Sequence, residues 1–332
     1  MGFEAPRPIV LGVVGDSAAG KTTITRGLVR ILGEDNVNHI ATDDYHRYDR
    51  RQRAERGITP LHPECNHIDI MTQHLRHVRD GEPILKPVYQ HSDGTFGAPE
   101  YVPPKHFAVI EGLLGYHTQD LRDCYDVRVY LAPPEDVRRK WKVRRDVSRR
   151  GYTTDQVLEE LDRREPDSAE FIRPQERRAD LVVSFIPSEG DDSETLDAEL
   201  VLREGLPHPD LSPITGNGQE GITVSERRGE RHLRIPAHIE RERADEIESI
   251  VWEKMHFASH LRTERLGEFT VGTDLRRSNS LAIVQVLILY HLVTAKASVA
   301  LGRDGARATK GLGPASSPTG GAGEPAAHGA AR

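Results

Sequence analysis

The chain has 332 residues, of which 29% are charged, and it carries a formal net charge of −7 at pH 7. That length holds one large α/β domain, or one with an appendage, and the charge balance points to a soluble protein not globally adapted to nucleic acid. Its two cysteines, Cys65 and Cys124, are too few for a disulfide framework and suit a reducing, cytoplasmic compartment.

Residues 1–7 lack a basic region followed by an apolar core, so no secretory signal is expected. The apolar run 8–14 reads as a buried strand, and Gly15-Asp16-Ser17-Ala18-Ala19-Gly20-Lys21-Thr22 after it is a complete GxxxxGK[ST] phosphate loop. Ile24, Leu28, Ile31 and Leu32 then recur at helical spacing. A strand, a glycine turn and a helix N-terminus together aim backbone N–H groups and the positive end of a helix dipole at an anion. Gly15 and Gly20 permit the tight path, Lys21 reaches the β- and γ-phosphates, and the Thr22 hydroxyl can ligand Mg²⁺. These flanks disfavour a chance glycine-rich turn, and the segment through Thr23 is expected to bind a nucleoside triphosphate.

Apolar runs at 37–42, 107–110, 127–132 and 181–186 predict further strands, separated by helical patterns around 71–79, 134–149 and 154–164. Thr153 with Gln156 forms a capping box for the last of these helices. The alternation argues for βαβ units and a mainly parallel central sheet with helices on both faces. From about 190 the texture changes to short strands at 196–203, 221–226 and 232–235 and a helix at 238–256, expected to extend the main sheet. The stretch 281–293, interrupted by Gln285 and His291, reads as a buried helix too short to span a bilayer. The expected organisation is a phosphotransferase core over 1–190, a sheet extension with packed helices over 191–302, and a disordered Gly/Ala/Pro-rich tail over 303–332.

The second strand ends in Thr42-Asp43-Asp44-Tyr45-His46-Arg47-Tyr48-Asp49-Arg50. Ligands of open α/β sheets lie beyond the carboxyl ends of strands, which puts this segment beside the phosphate loop. A carboxylate there can accept the proton of an acceptor hydroxyl or ligand a metal, so Asp43 is more than a solvated acidic turn. A helical turn would bring Asp43, His46 and Arg50 to one side. The third strand ends Val109-Ile110-Glu111-Gly112, where a metal-supporting or water-orienting acid belongs. Over 138–150 basic residues crowd around the single acid Asp146, and Lys142, Arg145, Asp146, Arg149 and Arg150 share one helical face. In a phosphotransferase such a helix can close over the triphosphate and grip a second anionic substrate.

Together these residues resemble the phosphoribulokinases, within the phosphoribulokinase/uridine kinase family of P-loop kinases. The resemblance is carried by the phosphate loop, Asp43-Asp44-Tyr45-His46…Asp49-Arg50, His62-Pro63-Glu64…Asn66-His67-Ile68-Asp69-Ile70-Met71 and Lys86-Pro87-Val88-Tyr89-Gln90-His91. It continues through Ile110-Glu111-Gly112-Leu113, Trp141-Lys142-Val143-Arg144-Arg145-Asp146 and Arg150-Gly151-Tyr152. Pro166-Asp167…Phe171-Ile172…Pro174-Gln175 and the late Ser278-Asn279-Ser280…Gln285 segment are similar to the plant and cyanobacterial branch. The resemblance implies a P-loop kinase fold, with ATP and Mg²⁺ used to phosphorylate the C1 hydroxyl of ribulose 5-phosphate for the Calvin cycle. It implies Asp43 as general base and Glu111, with Thr22 and Asp43, as the metal-supporting set. His46, Arg50 and Arg150 would hold the sugar phosphate. Lys142 and Arg145 would stabilise the transferring phosphoryl group, with Asp146 orienting them. A homodimer is the assembly expected, with neither nucleic acid nor membrane as partner.

Ala19 and Ala41 stand where plant enzymes carry a regulatory cysteine in the phosphate loop and another before the Asp-Asp pair, and no cysteine follows Cys124. This argues against redox control and against disulfide-linked assembly with a dehydrogenase and a linker protein. A uridine kinase or other small-metabolite kinase would share the phosphate loop, Asp43 and Glu111 without requiring Arg50 and the basic helix. A nucleotide-binding regulatory protein without turnover is the alternative of a different class. A nucleic-acid role for the basic helix lacks interleaved aromatic residues.

Overall fold

The computed structural model describes residues 6–188, 195–215, 221–255, 261, 263–271 and 274–307, and of Arg149, Arg150 and Val271 the backbone alone. Every residue of β1 (Ile9–Gly15) is buried, and its side chains alternate between two apolar layers. Ile9, Leu11 and Val13 enter one layer and Val10 and Val14 the other, the two-sided burial that makes a parallel strand read as an unbroken apolar run.

The phosphate loop follows and opens α1 (Lys21–Leu32), which buries Ile24, Leu28, Ile31 and Leu32 as their spacing predicts. Next come β2 (Val37–Ala41), a 3₁₀ turn over Thr42–Tyr45, α2 (Arg50–Arg56) and α3 (Ile68–Arg79). An excursion of short strands then leaves the main sheet: β3 (Ile84–Lys86), β4 (Tyr89–Gln90), β5 (Thr95–Phe96) and β6 (Glu100–Val102), paired β3 with β6 and β4 with β5. β7 (Phe107–Gly112), α4 (Gln119–Asp123), β8 (Val127–Leu131), α5 (Glu135–Arg150), α6 (Thr154–Asp167) and β9 (Leu181–Pro187) complete the first half. The expected capping box of α6 is present, with Thr153 Oγ1 accepting from the Gln156 N–H at 3.3 Å and Gln156 Oε1 from the Thr153 N–H at 2.9 Å.

The second half contributes β10 (Leu196–Leu202), β11 (Thr223–Arg227), β12 (Glu230–Ile235), α7 (Arg241–Glu253), the hairpin β13 (Glu268–Val271) and β14 (Asp274–Arg277), and α8 (Asn279–Ala300). One eight-stranded sheet runs β11-β12-β10-β9-β8-β1-β7-β2. Strands β9, β8, β1, β7 and β2 are parallel, and β10, β12 and β11 extend them antiparallel. The chain is thus an α/β P-loop kinase fold extended by C-terminal strands, with α1, α7 and α8 over one face and α3 and α4 over the other.

Two expectations change. The apolar stretch read as 281–293 is a 22-residue helix, long and apolar enough by composition to cross a membrane, yet 67% of its most apolar window is buried inside the fold. It extends this far because no Gly or Pro interrupts the chain before Gly302. The start of the tail also differs: Arg303–Arg307 lie against the lower end of the sheet, where two buried acids require partners. Asp126 meets Arg7 at 2.7 Å and Arg79 at 3.1 Å, while Asp180 meets Arg128 at 3.1 Å and Arg307 at 2.6 Å. Asp304 joins the cluster by pairing with Arg79 at 2.8 Å. The remainder of the expected tail, 308–332, lies outside the described residues, as does the acidic stretch 189–194.

Candidate active site

β1 lies between β7 and β8, so the phosphate loop leaves the middle of the parallel strands at their carboxyl ends. Gly20 adopts φ 95°, a left-handed conformation that glycine takes without strain, while Ala18 at φ 66° holds a conformation costly for a residue with a Cβ. Lys21 folds back across the loop, its Nζ donating to the Gly15 and Asp16 carbonyls at 2.9 Å each. Burial lowers its pKa, and Glu111, Asp43 and Asp16 oppose that shift.

The loop is braced from behind. Asp16 accepts from the Ser17 N–H at 2.6 Å and from the Ser168 hydroxyl, and the buried Arg138 donates to the Ser17 carbonyl at 3.0 Å. Arg138 also lies 3.6 Å from Asp16 and binds Glu135 through two nitrogens at 2.8 and 2.7 Å. It therefore links α5 to the loop. The Asp16 side chain thereby ties the loop to Ser168 and α5.

Glu111 lies beside the start of α1. Its Oε1 accepts from Thr22 Oγ1 at 2.5 Å, and its Oε2 accepts from Thr25 Oγ1 at 2.5 Å and meets His39 Nε2 at 3.0 Å. Burial alone would raise this carboxyl, but the His39, Thr22 and Thr25 hydrogen bonds outweigh it and hold the pKa at about 2. The anion is thus fixed across the physiological range. Thr22 Oγ1, Glu111 and the half-buried Asp43 are hard oxygen donors, which suit Mg²⁺. Among the described residues no group of three or more His, Cys, Asp or Glu side chains is arranged to hold a metal.

The two neighbouring aspartates have different surroundings. Asp44 accepts from Lys86 Nζ at 2.6 Å and from the Tyr89 N–H at 2.9 Å, so its charge is engaged in tying down β3 and β4. Asp43 keeps a half-exposed carboxylate, 3.6 Å from His91 Nε2. Arg50 reaches the same segment, with its Nη2 donating to the His91 carbonyl at 2.7 Å and its backbone N–H to the Gly94 carbonyl at 2.8 Å.

The expected single helical turn through Asp43, His46 and Arg50 does not form. The 3₁₀ turn ends at His46, which makes a bridge to Asn66, and α2 begins only after the Asp49 cap. The β4–β5 hairpin brings Asp43 and Arg50 onto common ground instead. His46 is buried, with Nδ1 2.8 Å from Asn66 Oδ1 and its ring edge-on to Tyr89, and burial lowers its pKa.

On α5, Asp146 binds Lys142 Nζ at 2.5 Å and Arg145 Nε at 2.8 Å, with Lys142 and Asp146 almost fully buried. Burial pulls the Lys142 ammonium below its ordinary pKa against the pull of Asp146; burial would raise Asp146, but its two cations keep it low. Arg145 Nη2 extends to within 3.5 Å of Ser17 Oγ, which carries the basic helix to the loop. The side chain of Arg150 lies outside the described residues.

Sequence reading assigns no individual role to four contributors to this geometry: Thr25, His39, His91 and Arg138. Thr25 stood three residues beyond Thr22 and was findable by helical spacing. The others act through tertiary contacts that leave no local pattern.

Residues 10–190, more than half of the chain, match the model of the phosphoribulokinase / uridine kinase family. A phosphoribulokinase of Synechocystis is 37% identical over 62% of this chain and 63% of its own length, so the chain spans under two thirds of that relative. A uridine kinase of Oceanobacillus iheyensis is 31% identical over 60% of this chain and 98% of its own length. Among solved structures, phosphoribulokinase from Rhodobacter spheroides superposes with a TM-score of 0.56 at 18% identity, covering 75% of this chain and 97% of that one, a likeness of fold. A phosphate loop between β1 and α1, with Glu111 locked to Thr22 beside it, and a family match across the whole parallel half of the sheet make this chain a member of the phosphoribulokinase / uridine kinase family.

Proposed function

We propose that the chain transfers the γ-phosphoryl group of ATP to the C1 hydroxyl of ribulose 5-phosphate, yielding ribulose 1,5-bisphosphate for Calvin-cycle carbon fixation. The observation that carries this reading is the meeting of Asp43, His91 and Arg50 beside a phosphate loop onto which a basic helix leans. Such a site supplies a proton acceptor for a hydroxyl and cationic side chains for a second, phosphorylated substrate.

In this reading residues 15–23 cradle the triphosphate and Lys21 swings from the loop carbonyls to the β- and γ-phosphates. Asp43 accepts the proton of the C1 hydroxyl as that oxygen forms its bond to the γ-phosphorus and the bond to the β-phosphate oxygen of ADP breaks. Lys142 and Arg145, tethered by Asp146, supply positive charge where it builds on the transferring group. His46, Arg50 and Arg150 hold the sugar phosphate, with guanidinium groups matched to a dianion. Thr22, Asp43 and Glu111 hold Mg²⁺, which when bound neutralises charge on the β- and γ-phosphates. Residues 1–190 carry the reaction and 191–302 brace the sheet, in a cytoplasmic homodimer. Ala19 and Ala41 in place of thiols support an enzyme free of redox control.

The test is an ADP-release assay with ribulose 5-phosphate, unphosphorylated ribulose and uridine side by side. Turnover of ribulose 5-phosphate alone is expected. Turnover of uridine would establish the second reading, favoured by a match that covers nearly all of a uridine kinase. ATP binding without transfer would leave a regulatory nucleotide-binding protein.

A further inference from the structure

Glu111 lies opposite Ala41 in the parallel register of β7 and β2, and His39 lies opposite Val109. Because side chains alternate along a strand, His39, Ala41 and Glu111 all face the same side of the sheet, the side that α1 covers. Ala41, opposite Glu111, carries only a methyl group, and the His39 imidazole on the same strand reaches Glu111, with Nε2 3.0 Å from Oε2. A carboxylate only accepts, so His39 Nε2 carries the proton that reaches Glu111 Oε2 at 3.0 Å.

The two carboxylate oxygens are therefore held differently. Oε2 is pinned by His39 from the neighbouring strand and by Thr25 from α1, while Oε1 takes the Thr22 proton. With its hydrogen committed to Glu111, Thr22 Oγ1 keeps its lone pairs for another partner.

We infer that His39 is a positioning residue, which pins Oε2 of Glu111 so that Oε1 stays on Thr22 and both are presented to the divalent cation of the nucleotide. The inference rests on the reading of Thr22 and Glu111 as a metal-supporting pair. Without His39 the carboxylate is held from behind by Thr25 alone and gains freedom about its terminal torsion, which is intrinsically broad. Groups that hold a ligating residue from behind are typically worth about 10–100-fold in metal affinity or activity.

The test is calorimetric ATP binding at one fixed pH, with Mg²⁺ and with EDTA, for the wild-type chain, His39→Val and His39→Gln. His39→Val is expected to lose about 10-fold or more of ATP affinity in Mg²⁺, with unchanged affinity in EDTA. His39→Gln, which restores an N–H donor at similar reach, is expected to recover most of the loss. His39→Leu, closer in volume to imidazole, reads the same quantity if the valine variant folds poorly. A wild-type dependence on Mg²⁺ in His39→Val, equal weakening with and without Mg²⁺, or no recovery in His39→Gln would overturn the inference alone. A wild-type chain whose ATP binding ignores Mg²⁺ would overturn the assignment of Thr22 and Glu111 beneath it.

Discussion

Gly112 ends β7 where the Thr42 side chain crosses it, and this contact offers a way to displace Asp43 without touching it. A Cβ on residue 112 would lie 1.6 Å from Thr42 Oγ1, 2.6 Å from Thr42 Cβ and 2.7 Å from Thr42 Cγ2. Thr42 must retreat to admit it, and the retreat breaks the 3.2 Å hydrogen bond that Thr42 Oγ1 accepts from the Leu113 N–H. Gly112→Ala is therefore expected to cost about 1–3 kcal/mol by overpacking and about 0.5–1.5 kcal/mol for the lost bond. Asp43 follows Thr42 directly, and a misplacement of about 1 Å at a reacting group is worth on the order of 10²-fold in rate. We expect kcat for ribulose 5-phosphate phosphorylation to fall by about that factor, with the KM for ATP little changed. Partners at position 42 grade the effect. Thr42→Ala retains the Cβ at 2.6 Å and should rescue Gly112→Ala only in part, whereas Thr42→Gly removes all three clashing atoms and should restore most of kcat. Steady-state kinetics and thermal melting on the complete cycle of variants measure the coupling. A Gly112→Ala enzyme with wild-type kcat, or a defect that Thr42→Gly leaves untouched, would refute transmission through Thr42.

Asp43→Asn should lower kcat by about 10²–10⁴-fold while ATP affinity barely moves. Asp44→Asn should instead lower the melting temperature, because that carboxylate holds Lys86 and the Tyr89 amide. An Asp43→Asn enzyme keeping more than about a tenth of its kcat would move the base elsewhere. Burial pushes Glu248 up to about 7 despite the nearby Arg277, so its contribution to stability is full below about pH 4.5 and is lost as pH rises through 7. Glu248→Gln should flatten the decline in melting temperature between about pH 5 and 8, an effect on the order of 1–3 kcal/mol. An unchanged slope would show that this carboxyl titrates normally. Cys65 and Cys124 are buried free thiols, and burial pushes both up to about 11, so activity should be the same after incubation with oxidised or reduced dithiothreitol. A reversible loss abolished by Cys65→Ser or Cys124→Ser would reveal a thiol switch.

The strands and the phosphate loop were legible in the sequence because their signals are local: an unbroken apolar run for a strand buried on both faces, and glycines where the backbone must turn. The relation of Asp43 to Arg50 was misjudged for a definite reason. Helical spacing was extended through His46, where the chain instead bridges to Asn66, and the hairpin that reunites the two residues begins some forty positions later. Arg138 was read only as one of a basic run, yet it is buried against the loop while its neighbour Lys140 is exposed. That distinction depends on which helical face meets Ser17. The order of Arg303–Arg307 was likewise hidden, because their partners Arg79 and Asp180 lie far away in the chain.

Helix α8 carries a consequence for the order in which the molecule matures. Its apolar surface runs around the whole helix and closes the layer formed by α1, β1, β8 and β10. During synthesis the half that carries the phosphate loop therefore emerges first, with the α1 side of its sheet still open to water, and waits for roughly a hundred more residues before α8 arrives. That interval is a window for chaperone capture or aggregation, and the closing step joins elements from both ends of the chain. Substitutions along α8, remote from any reacting atom, should therefore reduce the yield of folded enzyme far more than the turnover of those molecules that complete the journey.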